Sequence, residues 1–353
     1  MGKLAVYKYL SFMVLVFTVL AAIFTFIGLF GGSADPASGT AMALTVYVLP
    51  VFLITDAVLL LFWLIRRRWH WAVIPGLTLL CSIPYIGTIY QTGLFSSNSD
   101  NVKSGINIAT YNVAMFGREM TGFKAEDILT EMNMQQVDIL CMQEYMEKSG
   151  DKMNSESYLN YFTNMAKGRD DMVIFSRFPI IESGTIDFGQ TNNSAMWADV
   201  DVNGKKMRVF NVHLETTGIN RALSRAAKRQ NAGQVVEKNK LLSYIYGRYT
   251  HGMAIRALQA NLMASHISKS NIPVILCGDF NDVPYSYVYN KMKGDLVDGF
   301  KECGKGYMYT MASGMKKVRI DYIFHSKELK GVNYFKHEVT YSDHYPVFMR
   351  IAL

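Results

Sequence analysis

Three long apolar runs dominate the first part of the chain. They cover about residues 10–30, 42–65 and 71–94, and each is long enough to cross a bilayer as a helix. A cleaved signal peptide is the alternative for the first run, but its apolar core is longer than the core of such a peptide. We therefore predict that residues 1–95 form a membrane region with three transmembrane helices. Asp56 lies inside the second run, where we expect it to hydrogen-bond to a neighbouring helix.

Basic residues around these runs predict the orientation of the chain. Lys3 and Lys8 precede the first run and three arginines occupy positions 66–68, whereas the loop at 31–40 has no Lys or Arg. Basic residues collect on the cytoplasmic side of membrane proteins, so the N-terminus and the arginines are predicted to be cytoplasmic. With three crossings, the chain after residue 94 lies outside the cytoplasm, in a periplasmic or extracellular position. The prediction is a multi-pass protein of the cell membrane.

The pattern changes after a short polar stretch at 96–103, which we interpret as a linker. Asn203-Gly204, between two alternating runs, is a strong signal for a β-hairpin. Runs typical of strands and amphipathic runs typical of helices alternate from residue 104 to residue 353. The strand-like runs cover 106–111, 137–142, 172–176, 196–202, 207–213, 272–276, 320–324 and 345–352, and the helical runs cover 121–132 and 254–268. This alternation, with a hairpin included, indicates an α/β domain with mixed sheets.

Composition and charge add little about the partner of this domain. Half of the residues are hydrophobic, and the apolar excess lies in the membrane region, so the domain has ordinary composition and enough length for a large core. The formal net charge is +7. A basic surface is compatible with polyanions, phosphate-bearing substrates or anionic membranes, and the net charge alone does not distinguish these partners.

Polar side chains stand where the predicted strands end. Any one of them alone is more often a solvated surface residue or a satisfied histidine, but their shared placement favours a site. These residues are Asn112, Glu144, His213, Asp279, Asn281, Asp321, Asp343 and His344. Asp279 and Asn281 follow a buried run and a glycine, in the sequence Cys277-Gly278-Asp279-Phe280-Asn281-Asp282. A simple turn is the alternative for this segment, because Asp and Asn are common in turns.

The same residues carry a family resemblance. The order of motifs resembles the endonuclease/exonuclease/phosphatase superfamily, which includes pancreatic deoxyribonuclease, abasic-site endonucleases, neutral sphingomyelinases and inositol-polyphosphate 5-phosphatases. The motifs are Tyr111-Asn112, Gln143-Glu144, Ser176-Arg177-Phe178-Pro179, Asn211-Val212-His213-Leu214, Gly278-Asp279-Phe280-Asn281, Asp321-Tyr322 and Ser342-Asp343-His344-Tyr345-Pro346. The resemblance covers about 104–353. It implies a four-layer α/β sandwich of two packed mixed sheets, with the site at one rim, and a metal-dependent phosphoester hydrolase.

The resemblance also implies which residues bind a metal. Glu144 would be the principal ligand of a Mg²⁺ or Mn²⁺ ion, with Asn112 beside it and Asp343 reaching the ion from the other side. Oxygen ligands of this kind suit a hard divalent cation that keeps several waters. The sequence contains no cluster of Cys or His with the spacing of a zinc site, which argues against a zinc hydrolase.

Catalytic roles follow from the same resemblance and agree with the chemistry of the side chains. Asp279 would orient or deprotonate the attacking water, and Asn281 would hydrogen-bond to the developing charge of the phosphorane. His344 would contact the phosphate or act as the base, held by Asp321. His213 would bind the phosphate or protonate the leaving group. The division between these roles stays open.

The substrate is less well defined by the sequence. The segment 216–253 resembles an insertion and is strongly basic in its first part, between Arg221 and Arg229. It is either a solvated helix face or a loop beside the site that binds anionic substrate or anionic lipid. We predict a membrane-anchored phosphoesterase acting on a lipid headgroup or a small phosphorylated molecule, with a nuclease as the alternative and a non-catalytic receptor as the least favoured. Besides this substrate, the predicted partner is the lipid bilayer, and no protein partner is predicted.

Overall fold

Two parts make up the chain, a helical region and an α/β domain. The computed structural model describes residues 3–93, 104–117, 125–145, 153–169, 171–189, 191, 193–235, 237–311 and 317–353. The predicted linker at 96–103 lies outside the described residues. The helices are α1 (Lys3–Gly31), α2 (Thr40–Ile65), α3 (Trp69–Cys81), α4 (Ile83–Ile86), α5 (Ala114–Gly117), α6 (Ala125–Met134), α7 (Met153–Phe162), α8 (Ile219–Asn231), α9 (Lys238–Ser268), α10 (Tyr287–Lys293) and α11 (Gly299–Cys303).

Helices α1 and α2 form an antiparallel hairpin. Within them, Val6–Gly31 and Thr40–Ile65 are each long and apolar enough to cross a membrane, and only 28% of the most apolar window of each is buried. The hairpin is joined by polar contacts between its helices. Thr25 Oγ1 donates to Asp56 Oδ2 at 2.6 Å, which confirms the interhelical hydrogen bond expected for Asp56, and Trp63 Nε1 donates to Thr18 Oγ1 at 3.0 Å.

The predicted third transmembrane helix, at 71–94, is wrong as a continuous helix. Helix α3 has 13 residues, which extend about 20 Å against a hydrocarbon core of about 30 Å. A turn at Ser82 separates α3 from the four residues of α4, whose second residue is Pro84. Proline has no backbone N–H to donate to the carbonyl four residues earlier, which explains a helix boundary near this position. In the described part of the chain, two helices rather than three are therefore both long enough and apolar enough to span a membrane by themselves.

The α/β domain contains two six-stranded mixed sheets. The first sheet has the strand order β10-β12-β9-β8-β7-β6 and the second has β13-β14-β2-β3-β5-β4, with β8 parallel to β9 and β2 parallel to β3. The strands are β1 (Tyr90–Gln91), β2 (Gly105–Asn112), β3 (Ile139–Gln143), β4 (Asn164–Lys167), β5 (Val173–Ser176), β6 (Ile180–Asp187), β7 (Ser194–Val202), β8 (Lys205–His213), β9 (Val274–Asp279), β10 (Val297–Asp298), β11 (Gly306–Tyr307), β12 (Asp321–His325), β13 (Lys330–Lys336) and β14 (Val347–Ala352). The predicted hairpin at Asn203-Gly204 is confirmed as the turn between β7 and β8.

Four layers result from the way these sheets bury their apolar faces. Cys141 of the second sheet and Val209 of the first belong to one cluster between the sheets. Phe162 on α7 packs against the outer face of the second sheet, and Met263 on α9 packs against the outer face of the first. A fully buried side chain such as Phe162 stabilises the fold by about 1.5–3 kcal/mol. The predicted four-layer α/β sandwich is confirmed.

The basic insertion folds as helices rather than as a loop. Helix α8 covers its first part, and α9 begins at Lys238, well before the helix predicted at 254–268. The side chains described between Leu223 and Ser243 are mostly exposed, whereas the second half of α9 packs on the first sheet. The insertion is thus a helical hairpin that projects from the domain.

The α/β domain contacts the end of the α1–α2 hairpin that contains residues 31–40. Asn290 Nδ2 donates to the carbonyl of Gly32 at 3.0 Å, and the Tyr287 hydroxyl lies 3.3 Å from Asp35 Oδ2. The arginines at 66–68 lie at the opposite end of α2. From there α3 packs back along α2, with Trp71 stacked on Trp63, and β1 then pairs with β11 of the domain.

Two buried arginines of the domain lie at this contact. Arg256 Nε donates to Asp282 Oδ2 at 3.2 Å, and the hydroxyl of Tyr47 on α2 donates to the other carboxylate oxygen of Asp282. Arg319 is paired with Asp298 and also donates to the carbonyl of Thr88 at 3.1 Å. The helical region thus completes hydrogen bonds inside the domain.

Candidate active site

The predicted site residues lie at one rim, because the carboxyl ends of the central strands of both sheets point there. In the first sheet, parallel β8 and β9 end side by side at His213 and Asp279. In the second sheet, parallel β2 and β3 end at Asn112 and Gln143, and Glu144 follows directly. Side chains that are 31 to 167 positions apart in sequence therefore meet.

One oxygen of Asp279 lies at the centre of this arrangement. Asn112 Nδ2 donates to Asp279 Oδ2 at 3.1 Å, and the Nε2 atoms of His213 and His344 lie 3.9 Å and 3.8 Å from the same oxygen. Burial, and then the nearby carboxylate of Asp321, raise the pKa of Asp279 to about 7. A carboxyl with a pKa near neutrality can both accept and release a proton, as a general base requires.

His344 is held in place by Asp321. Its Nδ1 lies 3.0 Å from Asp321 Oδ2, so Nε2 is the nitrogen that faces Asp279. The register of β12 against β9 brings Asp321 opposite Asp279, and Thr310 Oγ1 accepts from the backbone N–H of Asp321 at 3.1 Å. Burial disfavours the charged ring, but the carboxylates of Asp321 and Asp279 outweigh it and raise the pKa of His344 to about 10. His344 is therefore a cation at neutral pH.

His213 has the opposite electrostatic character. Burial lowers its pKa, and the positive charge of His344 acts in the same direction, although Glu144 opposes both. Its Nε2 lies 3.9 Å from Glu144 Oε1 as well as from Asp279, and its Nδ1 lies 4.0 Å from Asp171 Oδ2. The site thus contains one cationic and one neutral imidazole, which can serve different steps.

The backbone of Glu144 is held in an unusual conformation, and its side chain is partly exposed to solvent. Its φ of 54° is left-handed, a conformation that costs a non-glycine residue about 1–2 kcal/mol. The carbonyl of Glu144 accepts from Met115 N at 3.0 Å, and Tyr145 N donates to Asp171 O at 2.8 Å. Strained backbone that the surroundings hold in this way is common at functional sites.

The residues around Glu144 fit a divalent cation such as Mg²⁺ or Mn²⁺. The Glu144 side chain is 25% exposed, and the hydrogen bond described for its carboxylate, from Asn112 Nδ2, is long at 3.4 Å. Asp279, Asp321 and His344 are closer to one another, with ligand atoms within 4.8 Å. Asp321, however, is already hydrogen-bonded to His344, so the triad is better suited to orienting the imidazole. An ion at Glu144 could keep several waters, as Mg²⁺ prefers.

Asn281 and Gly278 complete the predicted segment around Asp279. Asn281 donates its backbone N–H to Asp279 Oδ1 at 2.8 Å and its side-chain Nδ2 to Leu214 O at 2.9 Å. Gly278 has a φ of 136°, and a Cβ there would lie 1.9 Å from the carbonyl of Val212. Glycine is therefore required for β9 to approach β8 at the rim.

Asp343 is the predicted site residue with the weakest link to the others. It is half-buried, and no hydrogen bond between it and the remaining seven predicted residues is described. Its neighbour Ser342 donates to the carbonyl of Asn112 at 2.8 Å and accepts from the backbone N–H of His344. Asp343 therefore lies near the rim, and its role as a metal ligand stays a prediction.

Two residues that sequence reasoning missed, and one that it quoted only as part of a motif, also contribute to the site. Asp171 approaches His213, Thr310 holds the backbone of Asp321, and Ser342 links Asn112 to His344. Of these, Asp171 could have been found from its position two residues before β5. Thr310 lies in an irregular segment with no pattern that marks it.

Residues 109–344 match the model of the Endonuclease/Exonuclease/phosphatase family. The match covers more than half of the chain, and the fold and the rim site agree with it, so the chain belongs to this family. Members of the family are typically hydrolases that act on phosphoesters, and they generally depend on a divalent metal. Residues 11–89 match a model described only as a domain of unknown function.

Solved structures agree at the level of the fold. The structure of TDP2 from D. rerio with a single-strand DNA product is 16% identical, with a TM-score of 0.51, and the match covers 71% of this chain and 100% of that one. An endonuclease/exonuclease/phosphatase from Bacteroides vulgatus is 17% identical, with a TM-score of 0.52 and coverage of 71% and 100%. No curated protein matches the chain. Identities this low show the shared fold alone.

Proposed function

We propose that this protein is a membrane-anchored, divalent-metal-dependent phosphoesterase that hydrolyses a phosphodiester or phosphomonoester outside the cytoplasm. The preferred substrate is a lipid headgroup or a small phosphorylated molecule. The observation that carries the proposal is the convergence of Asn112, His213 and His344 on one oxygen of Asp279, with Glu144 beside them. Family membership supports the same reaction class.

The side chains divide the work of hydrolysis according to their charge. Asp279, with a pKa of about 7, accepts the proton of the attacking water. His344, a cation held by Asp321, binds the negatively charged phosphate through Nε2. His213 approaches the same oxygen of Asp279 and would bind the phosphate or protonate the leaving oxygen. The second N–H of the Asn281 amide is available to the phosphate.

A bound Mg²⁺ or Mn²⁺ would supply Lewis-acid polarisation of the phosphate oxygen. Glu144 would be its principal ligand, and Asn112 and Asp343 would complete the protein's share. The amide of Asn112 donates to the carboxylates of both Glu144 and Asp279, so it would hold the principal ligand next to the residue that handles the water.

The proposed location rests on which end of the helical hairpin contacts the domain. The domain packs against the end that contains residues 31–40, which has no Lys or Arg, and the arginines at 66–68 lie at the other end. Basic residues favour the cytoplasmic side, so this arrangement supports an extracytoplasmic domain. From the end with the arginines, the interrupted segment formed by α3 and α4 runs back along α2 to the end that contacts the domain.

The test is hydrolysis of bis(p-nitrophenyl) phosphate and p-nitrophenyl phosphate by the full chain in detergent. We expect activity with Mg²⁺ or Mn²⁺ that EDTA abolishes, and a loss of about 10- to 100-fold in kcat/KM for Glu144→Gln. Glu182→Gln, an exposed carboxylate on β6, is the matched control and should leave activity unchanged. Activity that survives EDTA, or an equal loss in both variants, contradicts the proposal.

A nuclease is the second candidate, because α8 exposes Arg225, Lys228 and Arg229, which could contact a phosphate backbone. A panel of lipid, inositol-phosphate and nucleic-acid substrates distinguishes the two. Preferential cleavage of DNA or RNA would replace the first candidate with the second. The TDP2 structure with its DNA product gives a precedent for nucleic acid on this fold.

A further inference from the structure

We propose that the projecting helical hairpin, residues 222–249, is a docking surface for the anionic lipid of the bilayer that anchors the chain. We name it the basic hairpin. It consists of α8 from residue 222, the connection described at 232–235 and 237, and the first part of α9. The inference rests on the membrane anchoring in the proposed function, and it goes beyond it by assigning a lipid partner to a second element.

Charge is concentrated in the basic hairpin. Its sequence holds six basic residues and one acid, a formal +5 out of +7 for the whole chain. The single acid, Glu237, is paired with Lys240 at 2.9 Å, and both side chains are exposed. The remaining basic residues are Arg225, Lys228, Arg229, Lys238 and Arg248. A cluster of this size matches the clusters that bind anionic lipid surfaces.

Exposed apolar side chains accompany the charge. Leu242, Tyr244 and Tyr246 are 63%, 54% and 59% exposed, and Val235 in the turn is 92% exposed. Basic residues interleaved with aliphatic and tyrosine side chains are typical of helices that lie in a membrane interface. A track for nucleic acid would gain little from Leu242 or Val235, because neither side chain can stack on a base.

The base of the basic hairpin is held at the level of the proposed membrane surface. The Tyr249 ring packs edge-on against Tyr47 of α2, with 5.3 Å between ring centroids. Tyr47 is seven residues from the start of α2 at Thr40, or about 10 Å along the axis. The 26 residues of α2 extend about 39 Å, so about 5 Å projects at each end of a core of about 30 Å. Tyr47 is thus close to the boundary between hydrocarbon and headgroups.

The position of Tyr249 fixes the position of the side chains just before it. Tyr246 and Tyr244 are three and five residues away on the same helix, so they lie within about 8 Å of Tyr249 along the helix axis. Arg248 donates to the carbonyl of Thr217 at 3.2 Å, which ties the start of the insertion to α9. The exposed tyrosines and the neighbouring cations therefore lie where anionic headgroups would be.

The test is hydrogen exchange of the full chain in nanodiscs of phosphatidylcholine alone and with about 30% phosphatidylserine. We expect amides in residues 222–249 to exchange at least about fivefold more slowly in the anionic discs, which corresponds to one cation at an anionic surface. The triple variant Arg225→Gln, Lys228→Gln and Arg229→Gln should lose most of this difference. A matched triple variant elsewhere on the domain, at the exposed residues Lys301, Lys305 and Lys330, should keep it.

Equal exchange in both kinds of disc would overturn the proposal. So would protection by single-stranded DNA without protection by anionic lipid, which would make the basic hairpin a nucleic-acid surface. A chain that does not remain in the discs would overturn both this inference and the membrane anchoring. Because exchange is measured without turnover, loss of phosphoesterase activity alone would affect the proposed function and not this inference.

Discussion

Replacing Arg256 with methionine should strongly destabilise the α/β domain, although the residue lies outside the candidate site. The Arg256 and Asp282 side chains are 1% and 3% exposed, and their ion pair is 3.2 Å long. Methionine keeps most of the apolar volume but removes the charge. The Asp282 carboxylate would then remain buried with the hydroxyl of Tyr47 and the backbone N–H of Val283 as its described partners.

The magnitude follows from the burial of the pair. Removing one partner of a buried ion pair typically costs about 3–5 kcal/mol, because the other charge is left uncompensated. In a domain of about 250 residues, each kcal/mol lowers Tm by about 2–4 °C, so we expect a decrease of about 6–20 °C. The measurement is thermal unfolding of the full chain in detergent, followed by near-ultraviolet circular dichroism.

Two further variants separate the charge pair from general sensitivity. Lys327→Met removes one partner of the exposed pair Lys327–Asp295 and should leave Tm unchanged. The double variant Arg256→Met with Asp282→Asn should recover much of the loss, because no unpaired charge remains. If the Tm of Arg256→Met stays within 2 °C of the original, the loss in unfolding free energy is at most about 1 kcal/mol. That result would refute the argument that this ion pair is buried and uncompensated when one partner is removed.

Two further predictions concern the rim. Gly278→Ala brings a Cβ against the carbonyl of Val212 and should lower Tm far more than Gly204→Ala, since both glycines have positive φ but nothing lies within 4 Å of the Gly204 Cβ position. Equal effects in thermal unfolding would show that strain in φ alone matters at Gly278. Asp321→Asn removes the charge that holds His344, and we expect kcat on the aryl phosphate substrate to fall about 10- to 100-fold. An unchanged kcat would remove Asp321 from the proposed mechanism.

Much of the rim site could be predicted because its residues stand at the ends of strands. Polar residues such as Glu144 and Asp279 follow apolar runs, and the carboxyl ends of parallel strands meet at one edge of a sheet. The Gly278-Asp279-Phe280-Asn281 motif added the family resemblance. The local sequence pattern is therefore sufficient to predict a site residue when the strand that positions this residue can itself be predicted from the sequence.

Contacts between distant segments could not be predicted in this way. The sequence pattern around Asp282 is typical of a turn, yet its carboxylate accepts a hydrogen bond from the hydroxyl of Tyr47, which is 235 positions away. Nothing in the pattern around either residue marks the other as its partner. The break at Ser82 was missed for a related reason, since an apolar run indicates burial or lipid contact but not the continuity of a helix.

The hydrogen bonds from Arg319 to Thr88 and from Tyr47 to Asp282 have a consequence for biogenesis. Both contacts join the α/β domain to segments that precede it in the chain, and these segments leave the ribosome first. These two hydrogen bonds can form only after the helices have taken their places. We therefore expect the domain to complete its packing after the helices, in the order in which the chain is synthesised.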